Sequence, residues 1–80
     1  MTLTFSFEVD KDNNRYIAVY NTGELVSKLS VALIGPNGMY PSLNNFVSQQ
    51  RALFLEQAEG FPYQILIDEP VQRELDQEQE

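Results

Sequence analysis

The side chains of this 80-residue chain that could do chemistry are carboxylates, tyrosines, lysines and arginines, because histidine and cysteine are both absent. The chain therefore has no thiolate nucleophile, no imidazole base, no disulfide and no Cys or His ligand for zinc. A catalytic site would need paired carboxylates held in one pocket. The acids before residue 68 fall mostly in predicted turns and at a helix end. The exception is Glu8, whose place on the polar face of the first predicted strand suggests contact with solvent. We therefore expect a protein that is not an enzyme and takes no cofactor.

A run of acids and amides, Asp10-Lys11-Asp12-Asn13-Asn14, resembles the opening of a calcium loop. Such a loop also requires a glycine at its sixth position and a bidentate glutamate at its twelfth. Those positions are Arg15 and Asn21 here. Asp and Asn also favour turns, because their side chains hydrogen-bond the local backbone. We predict a hairpin turn at this run and no metal site.

The second loop with chemical potential is Gly35-Pro36-Asn37-Gly38, which precedes a predicted helix and could in principle hold a phosphate. It lacks the Gly-Lys-Ser/Thr and Gly-x-Gly-x-x-Gly patterns that phosphate loops carry. Glycine, proline and asparagine in this order are typical of a tight turn. We predict a turn here as well.

Hydrophobic periodicity predicts the elements that would position any site. Period-two alternation, with polar breaks between the runs, predicts strands over Thr2–Val9, Arg15–Tyr20 and Leu25–Ile34. Ser42 is a natural N-cap for a helix that continues to Ala58 and stops at Gly60. The apolar residues near helical spacing in this helix are Leu43, Phe46, Val47, Leu53, Phe54 and Ala58. Tyr63–Ile67 alternates again as a last strand, and Met39-Tyr40 is a candidate for a further short segment.

The predicted fold class is α+β, in the order β-β-β-α-β. Three strands form an antiparallel meander, one helix packs on one face of the sheet, and a fourth strand follows. A right-handed crossover could place this last strand beside the first strand or beside the third. We favour the first, whose run of Leu3, Phe5 and Phe7 suggests a central position. With 42% hydrophobic residues the chain can form one core, so residues 1–67 are predicted to be a single domain.

Residues 68–80 carry six acids and one base, a net charge of −5, against −2 for residues 1–67. Glu69-Pro70 interrupts the strand pattern, and only Val71 and Leu75 are apolar beyond it. Their spacing of four would suit a short helical turn with one apolar ridge. We favour the alternative, an acidic and mobile tail, because chain ends of this composition are usually solvated.

Charge and composition also limit the partners. Neither segment has a basic patch, so we expect no direct binding to nucleic acid or to an anionic membrane. No apolar run approaches the roughly 20 residues of a membrane-spanning helix, and the start of the chain alternates instead of forming a leader. We expect a cytoplasmic protein.

One helix covers one face of the sheet, so the second face must meet solvent or a partner. Its predicted residues are small hydroxyl side chains, alanines, one lysine and two tyrosines, and tyrosine is enriched at interfaces. The same pattern also fits an ordinary solvated face, since Thr and Tyr favour strands. The candidate interaction residues on this face are Thr4, Ser6, Tyr16, Tyr20, Lys28 and Ser30.

Two hypotheses follow for function. The first is a small non-enzymatic module that binds a protein partner, or a second copy of itself as a homodimer, through the open sheet face or a strand edge. The second is a small acidic inhibitor, of the phage anti-defence or nucleic-acid-mimic type, that occupies a basic surface on its target. Truncation of the acidic tail would separate the two, because only the inhibitor depends on that charge.

Overall fold

The computed structural model describes residues 1–78 and has an α+β fold, with one four-stranded sheet and two helices. The strand order is β3-β2-β1-β4, so the last strand lies beside the first, as predicted. The elements are β1 (Thr2–Val9), β2 (Arg15–Asn21), β3 (Glu24–Ser30), α1 (Leu43–Gln57), β4 (Gln64–Ile67) and α2 (Glu69–Glu78).

β1 and β2 form the predicted antiparallel hairpin, in which Phe5 pairs with Val19 and Ser6 with Ala18. The turn between them is held by Asp10, whose Oδ1 accepts hydrogen bonds from the backbone N–H groups of Asp12 and Asn14, both at 2.9 Å. These bonds, led by that from Asn14, lower the pKa of Asp10. The carboxylates of this run therefore build a turn, as the sequence suggested.

β3 is shorter than predicted. It ends at Ser30, and Val31–Leu33 form one turn of 3₁₀ helix in place of a continued strand. The Ser30 hydroxyl accepts a hydrogen bond from the Ala32 backbone N–H, which stabilises this turn. The loop that follows returns so closely that a Cβ on Gly38 would collide with the Leu33 carbonyl. The candidate segment at Met39-Tyr40 reduces to one bridge between Ile34 and Tyr40.

α1 begins where predicted, with the Ser42 hydroxyl accepting from the backbone N–H of Asn45 at 3.2 Å. It ends at Gln57, before Gly60 in the left-handed region at φ 83°. Phe46 and Phe54 of this helix are buried in the core, whereas Leu53, which the helical pattern also assigned to the apolar face, is 51% exposed.

The predicted mobile tail is wrong for most of its length. Glu69–Glu78 form α2, which packs against β1 and α1, and Val71 and Leu75 are buried in the core. The apolar ridge of these two residues, the alternative in the sequence, is therefore what docks the segment. Of the predicted tail, Gln79 and Glu80 lie outside the described residues.

Hydrogen bonds in both directions join the end of α2 to the start of α1. The Glu78 carboxylate accepts from the backbone N–H groups of Leu43 at 2.8 Å and Asn44 at 3.0 Å, while Asn44 Nδ2 donates to the Leu75 carbonyl at 3.4 Å. A carboxylate at this position is stabilised by the partial positive charge of the helix N-terminus. None of the helices in residues 1–78 combines the length and the apolarity needed to cross a membrane.

Candidate functional site

The two faces of the sheet differ in what covers them. The residues that point inward from the strands, such as Leu3, Phe5, Ile17 and Val19, share one core with α1 and α2. Both helices therefore lie on the same face, and no described element lies over the other. We call that second side the open face. Its strand residues are Thr2, Thr4, Ser6, Glu8, Tyr16, Ala18, Tyr20, Leu25, Lys28, Ser30, Gln64 and Leu66.

The six candidate interaction residues lie on this face, in three cross-strand rows. Ala32, which the sequence also placed here, lies instead in the 3₁₀ turn after β3. The first row places Glu8 beside Tyr16 and Tyr16 beside Ser30. The second runs through Ser6, Ala18 and Lys28, and the third joins Thr4 and Tyr20. Directly opposed residues in neighbouring strands share a face, so their side chains are neighbours.

The centre of the open face is a cluster that the sequence did not indicate. The Glu8 carboxylate accepts one hydrogen bond from the Tyr16 hydroxyl at 2.9 Å and another from the Tyr20 hydroxyl at 2.6 Å. We call these three residues the tyrosine–carboxylate cluster. The sequence placed Glu8 in open solvent as one member of a polar face. The signal that could have indicated the cluster was the hairpin register, which places Glu8 directly opposite Tyr16.

Small residues between the two tyrosines make this contact geometrically feasible. Tyr20 pairs with Thr4, four positions along β1 from Glu8, so its ring must lean along the sheet to reach the carboxylate. Ser6 and Ala18 occupy the row in between. Ala18 is fully buried although it lies outside the hydrophobic core cluster, as expected for a residue beneath the leaning side chains.

The hydrogen bonds move the pKa values of the cluster apart. Those from Tyr20 and then Tyr16 lower the pKa of Glu8, because they stabilise its ionised form. The same bonds raise the pKa of Tyr16 and of Tyr20, because a phenolate could no longer donate and would lie beside the negative charge of Glu8. At neutral pH the cluster is one carboxylate held by two neutral phenols.

Lys28 adds a positive charge to the open face without neutralising Glu8 directly. Its Nζ lies 4.5 Å from the centroid of the Tyr16 ring, a cation–π distance. The ion pair in residues 1–78 is Arg73–Glu69 on α2, so within that range Glu8 has no cation at ion-pair distance. The face thus carries one fixed anion and one cation that is held by an aromatic ring.

Two leucines flank the row that contains Tyr20. Leu66 pairs with Thr4 from β4 and is 48% exposed, and Leu25 pairs with Tyr20 from β3 and is 51% exposed. Strict alternation from Leu29 would turn Leu25 toward the helices. A β-bulge between Val19 and Tyr20 shifts the register and places Leu25 opposite Tyr20 instead. The sequence contains no clear signal for this bulge.

Other parts of the described chain are less well suited to bind a ligand. A groove of about 250 Å³ is lined by Phe7, Ile17, Val31, Ile34 and Leu43, with Arg15, Glu74 and Glu78 at its rim. Glu78 is already engaged at the start of α1, and the volume is below the roughly 300–1,000 Å³ of typical ligand pockets. Within residues 1–78, acidic side chains do not gather in threes as they would around a metal ion.

Comparisons of this chain with protein-family models, with curated proteins and with solved structures found no match. The open face therefore has to be interpreted from its own chemistry.

Proposed function

We propose that this chain is a small non-enzymatic interaction module that binds a protein partner, or a second copy of itself, through the open face. The observation that carries the proposal is the tyrosine–carboxylate cluster, which is built on the one face that no described element covers. Leu25 beside Tyr20, and Leu66 at the far end of the same cross-strand row, supply apolar contact area on this face. Aromatic residues surrounded by a polar rim are typical of protein interfaces.

Order within the cluster favours binding. Fixing a side chain of this kind on association costs about 0.5–1.5 kcal/mol, which weakens the complex. Tyr16 and Tyr20 are already fixed by their hydrogen bonds to Glu8 in the unbound chain. Their rings can therefore contact a partner with little further loss of conformational freedom.

The pKa directions support binding over catalysis. A general acid or base works best when its pKa lies near the working pH. The pKa of Glu8 is moved down and those of Tyr16 and Tyr20 are moved up, in each case away from neutrality. The cluster therefore resists proton transfer near neutral pH, which fits a surface whose task is contact.

The open face is a better candidate than the strand edges that the sequence also suggested. β3 is an edge strand, but it contains the bulge and carries Lys28, and both features hinder pairing with another strand. The other edge, β4, is only four residues long.

The acidic-inhibitor hypothesis depends on free negative charge near the end of the chain. Glu78 is engaged with α1 and Glu69 with Arg73, which reduces that free charge.

The test is differential capture of binding proteins. Three immobilised chains are incubated with native lysate: the wild type, a Tyr16→Ser/Tyr20→Ser variant, and a Leu53→Ser/Leu55→Ser control that changes two exposed leucines of α1. Proteins retained by the wild type and the control, but lost from the tyrosine variant, are the expected result. Thermal melts followed by circular dichroism establish that all three chains are folded.

Equal retention by the tyrosine variant and the wild type would overturn the proposal. The acidic-inhibitor hypothesis gives a different pattern, in which a Glu74→Gln/Asp76→Asn variant loses the captured proteins and the tyrosine variant keeps them. Capture under that hypothesis would also fall steeply as salt is raised, because its attraction is between net charges.

A further inference from the structure

The hydrogen-bonding capacity of the tyrosine–carboxylate cluster is one-sided. Tyrosine has one O–H donor, and in both tyrosines that donor is given to Glu8. What the cluster presents outward is therefore only acceptors. These are the remaining lone pairs on the two carboxylate oxygens and on the two phenol oxygens. A group that itself needs to accept a hydrogen bond finds no donor within the three residues of the cluster. The donors nearest to it belong to Lys28, which lies over the Tyr16 ring, and to the Ser6 hydroxyl beside Glu8.

The complement of such an array is a group with several donors and no acceptor. Arginine presents five N–H donors in a planar fork, and its guanidinium matches a carboxylate through two parallel bonds. Lysine has three donors on a compact ammonium that is more strongly hydrated. Phosphate groups and backbone carbonyls are acceptors, so the cluster disfavours them.

Charge complementarity leads to the same class of ligand. Glu8 is half-buried and, within residues 1–78, lacks a cation at ion-pair distance. The Lys28 Nζ over the Tyr16 ring shows that the aromatic faces here accept a positive group. Among the described residues the ring of Tyr20 holds no such cation. One carboxylate and one aromatic face are thus free to act together on an incoming cation.

The apolar residues of the open face suit the neighbours of an arginine on the partner. Leu25 and Leu66 lie in the cross-strand row of Tyr20 and Thr4, four positions along β1 from Glu8, and are about half exposed. Four strand residues span about 13 Å, so with an arginine bound at Glu8 these leucines are left to apolar side chains beside that arginine. Arginine is also among the residues that contribute most to binding energy at protein interfaces.

We infer that the open face binds the guanidinium group of an arginine side chain on a protein partner, with Glu8 as its anionic acceptor and Tyr20 as its aromatic platform. This inference rests on the proposed function and specifies the partner at that surface. Tyr16 acts as a positioning residue, because its hydroxyl orients the carboxylate while its ring is occupied by Lys28.

The experiment is a titration of the full, isotope-labelled chain with capped Gly-Leu-Arg-Leu-Gly peptide, followed by NMR at the Glu8 carboxyl and the Tyr20 ring. Two analogues replace arginine by lysine or by citrulline, which has the same shape without the charge. Saturable shifts are expected with the arginine peptide, with affinity several-fold weaker for lysine and no saturation for citrulline. The loss of a charged hydrogen-bond partner in Glu8→Gln should weaken the arginine peptide by about tenfold or more.

A matched variant separates local recognition from general attraction. Asp12→Asn removes the same charge from the neighbouring turn, outside the cluster, and should change the affinity less than about twofold. Tyr20→Phe keeps the ring but leaves the carboxylate less well oriented, so an intermediate loss is expected. Circular dichroism and the amide spectrum confirm that each variant is folded. Equal binding of the three peptides, or equal losses in Glu8→Gln and Asp12→Asn, would overturn the inference.

The two proposals fail in different ways. If no peptide binds but capture of a protein still depends on Tyr16 and Tyr20, the arginine inference is wrong and the proposed function stands. If the arginine peptide binds at Glu8 and no protein is captured through the open face, the local chemistry is right and the proposed function is wrong.

Discussion

The two faces of this sheet are built from the same strands but are ordered by different forces. On the covered face, Phe5 and Val19 are fully buried beneath two helices. On the open face, at the alternate positions of the same two strands, Glu8, Tyr16 and Tyr20 are ordered by two hydrogen bonds. Burial of a large apolar side chain is worth about 1.5–3 kcal/mol, whereas a net hydrogen bond contributes roughly 0.5–1.5 kcal/mol.

This difference implies that the two faces have different roles. The covered face carries the stability of the domain, so it tolerates little change. The open face can alter its side chains with small effects on folding, which leaves it free to evolve for contact. Three predictions test this comparison.

The largest effect is expected on the covered face. Phe46 is 2% exposed, and its ring packs edge-on against Tyr40 with centroids 5.2 Å apart. Phe46→Ala should lower the free energy of unfolding by about 3–5 kcal/mol, because it removes buried area and leaves a cavity. Urea denaturation followed by circular dichroism measures the change. The control Phe61→Ala, at a side chain that is 65% exposed, should stay within about 0.5 kcal/mol. Similar losses in both variants would remove the distinction between buried and exposed sites.

An intermediate effect is expected where the two helices of the covered face meet. Glu78→Ala leaves the backbone N–H groups of Leu43 and Asn44 without their carboxylate partner. The loss should be about 1 kcal/mol, as for removal of an N-cap. Glu74→Ala removes the same charge and side chain from the same helix, and no hydrogen bond to Glu74 is recorded among the described residues. If the two variants were equally stable, the hydrogen bonds of Glu78 to the start of α1 would contribute nothing to the free energy of unfolding.

The smallest effect on stability, with a clear titration signature, is expected on the open face. The Glu8 carboxyl should titrate below its ordinary pKa of 4.5, and Tyr20→Phe should move that midpoint upward by removing the leading hydrogen bond. Because the folded pKa is lowered, the stabilisation is complete above the unfolded pKa and is lost as the pH falls through the folded pKa. Carboxyl ¹³C NMR measures the midpoint. Tyr63→Phe, at a ring that packs on Phe54 of α1, serves as control and should leave it unchanged.

Where the sequence prediction succeeded, the signal was local. Alternation placed the hairpin and its two faces, and Ser42 and Gly60 marked the ends of the helical segment. It failed where distant segments decide the outcome. Val71 and Leu75 were the only apolar residues of an acidic segment, and a helix with so little apolar surface is stable only when it docks on a core. The core supplied by β1 and α1 makes that helix possible.

The candidate site shows the same contrast between local signals in the sequence and contacts between distant segments. The sequence by itself determined which side chains share the open face, because a strand has a period of two and Tyr16, Tyr20, Thr4 and Ser6 follow it. Only the tertiary structure decided that Glu8 joins both tyrosines and that Leu25 lies beside Tyr20. Hairpin register, the lean of a long side chain and a one-residue bulge all depend on contacts between strands, and such contacts leave no periodic trace in the chain.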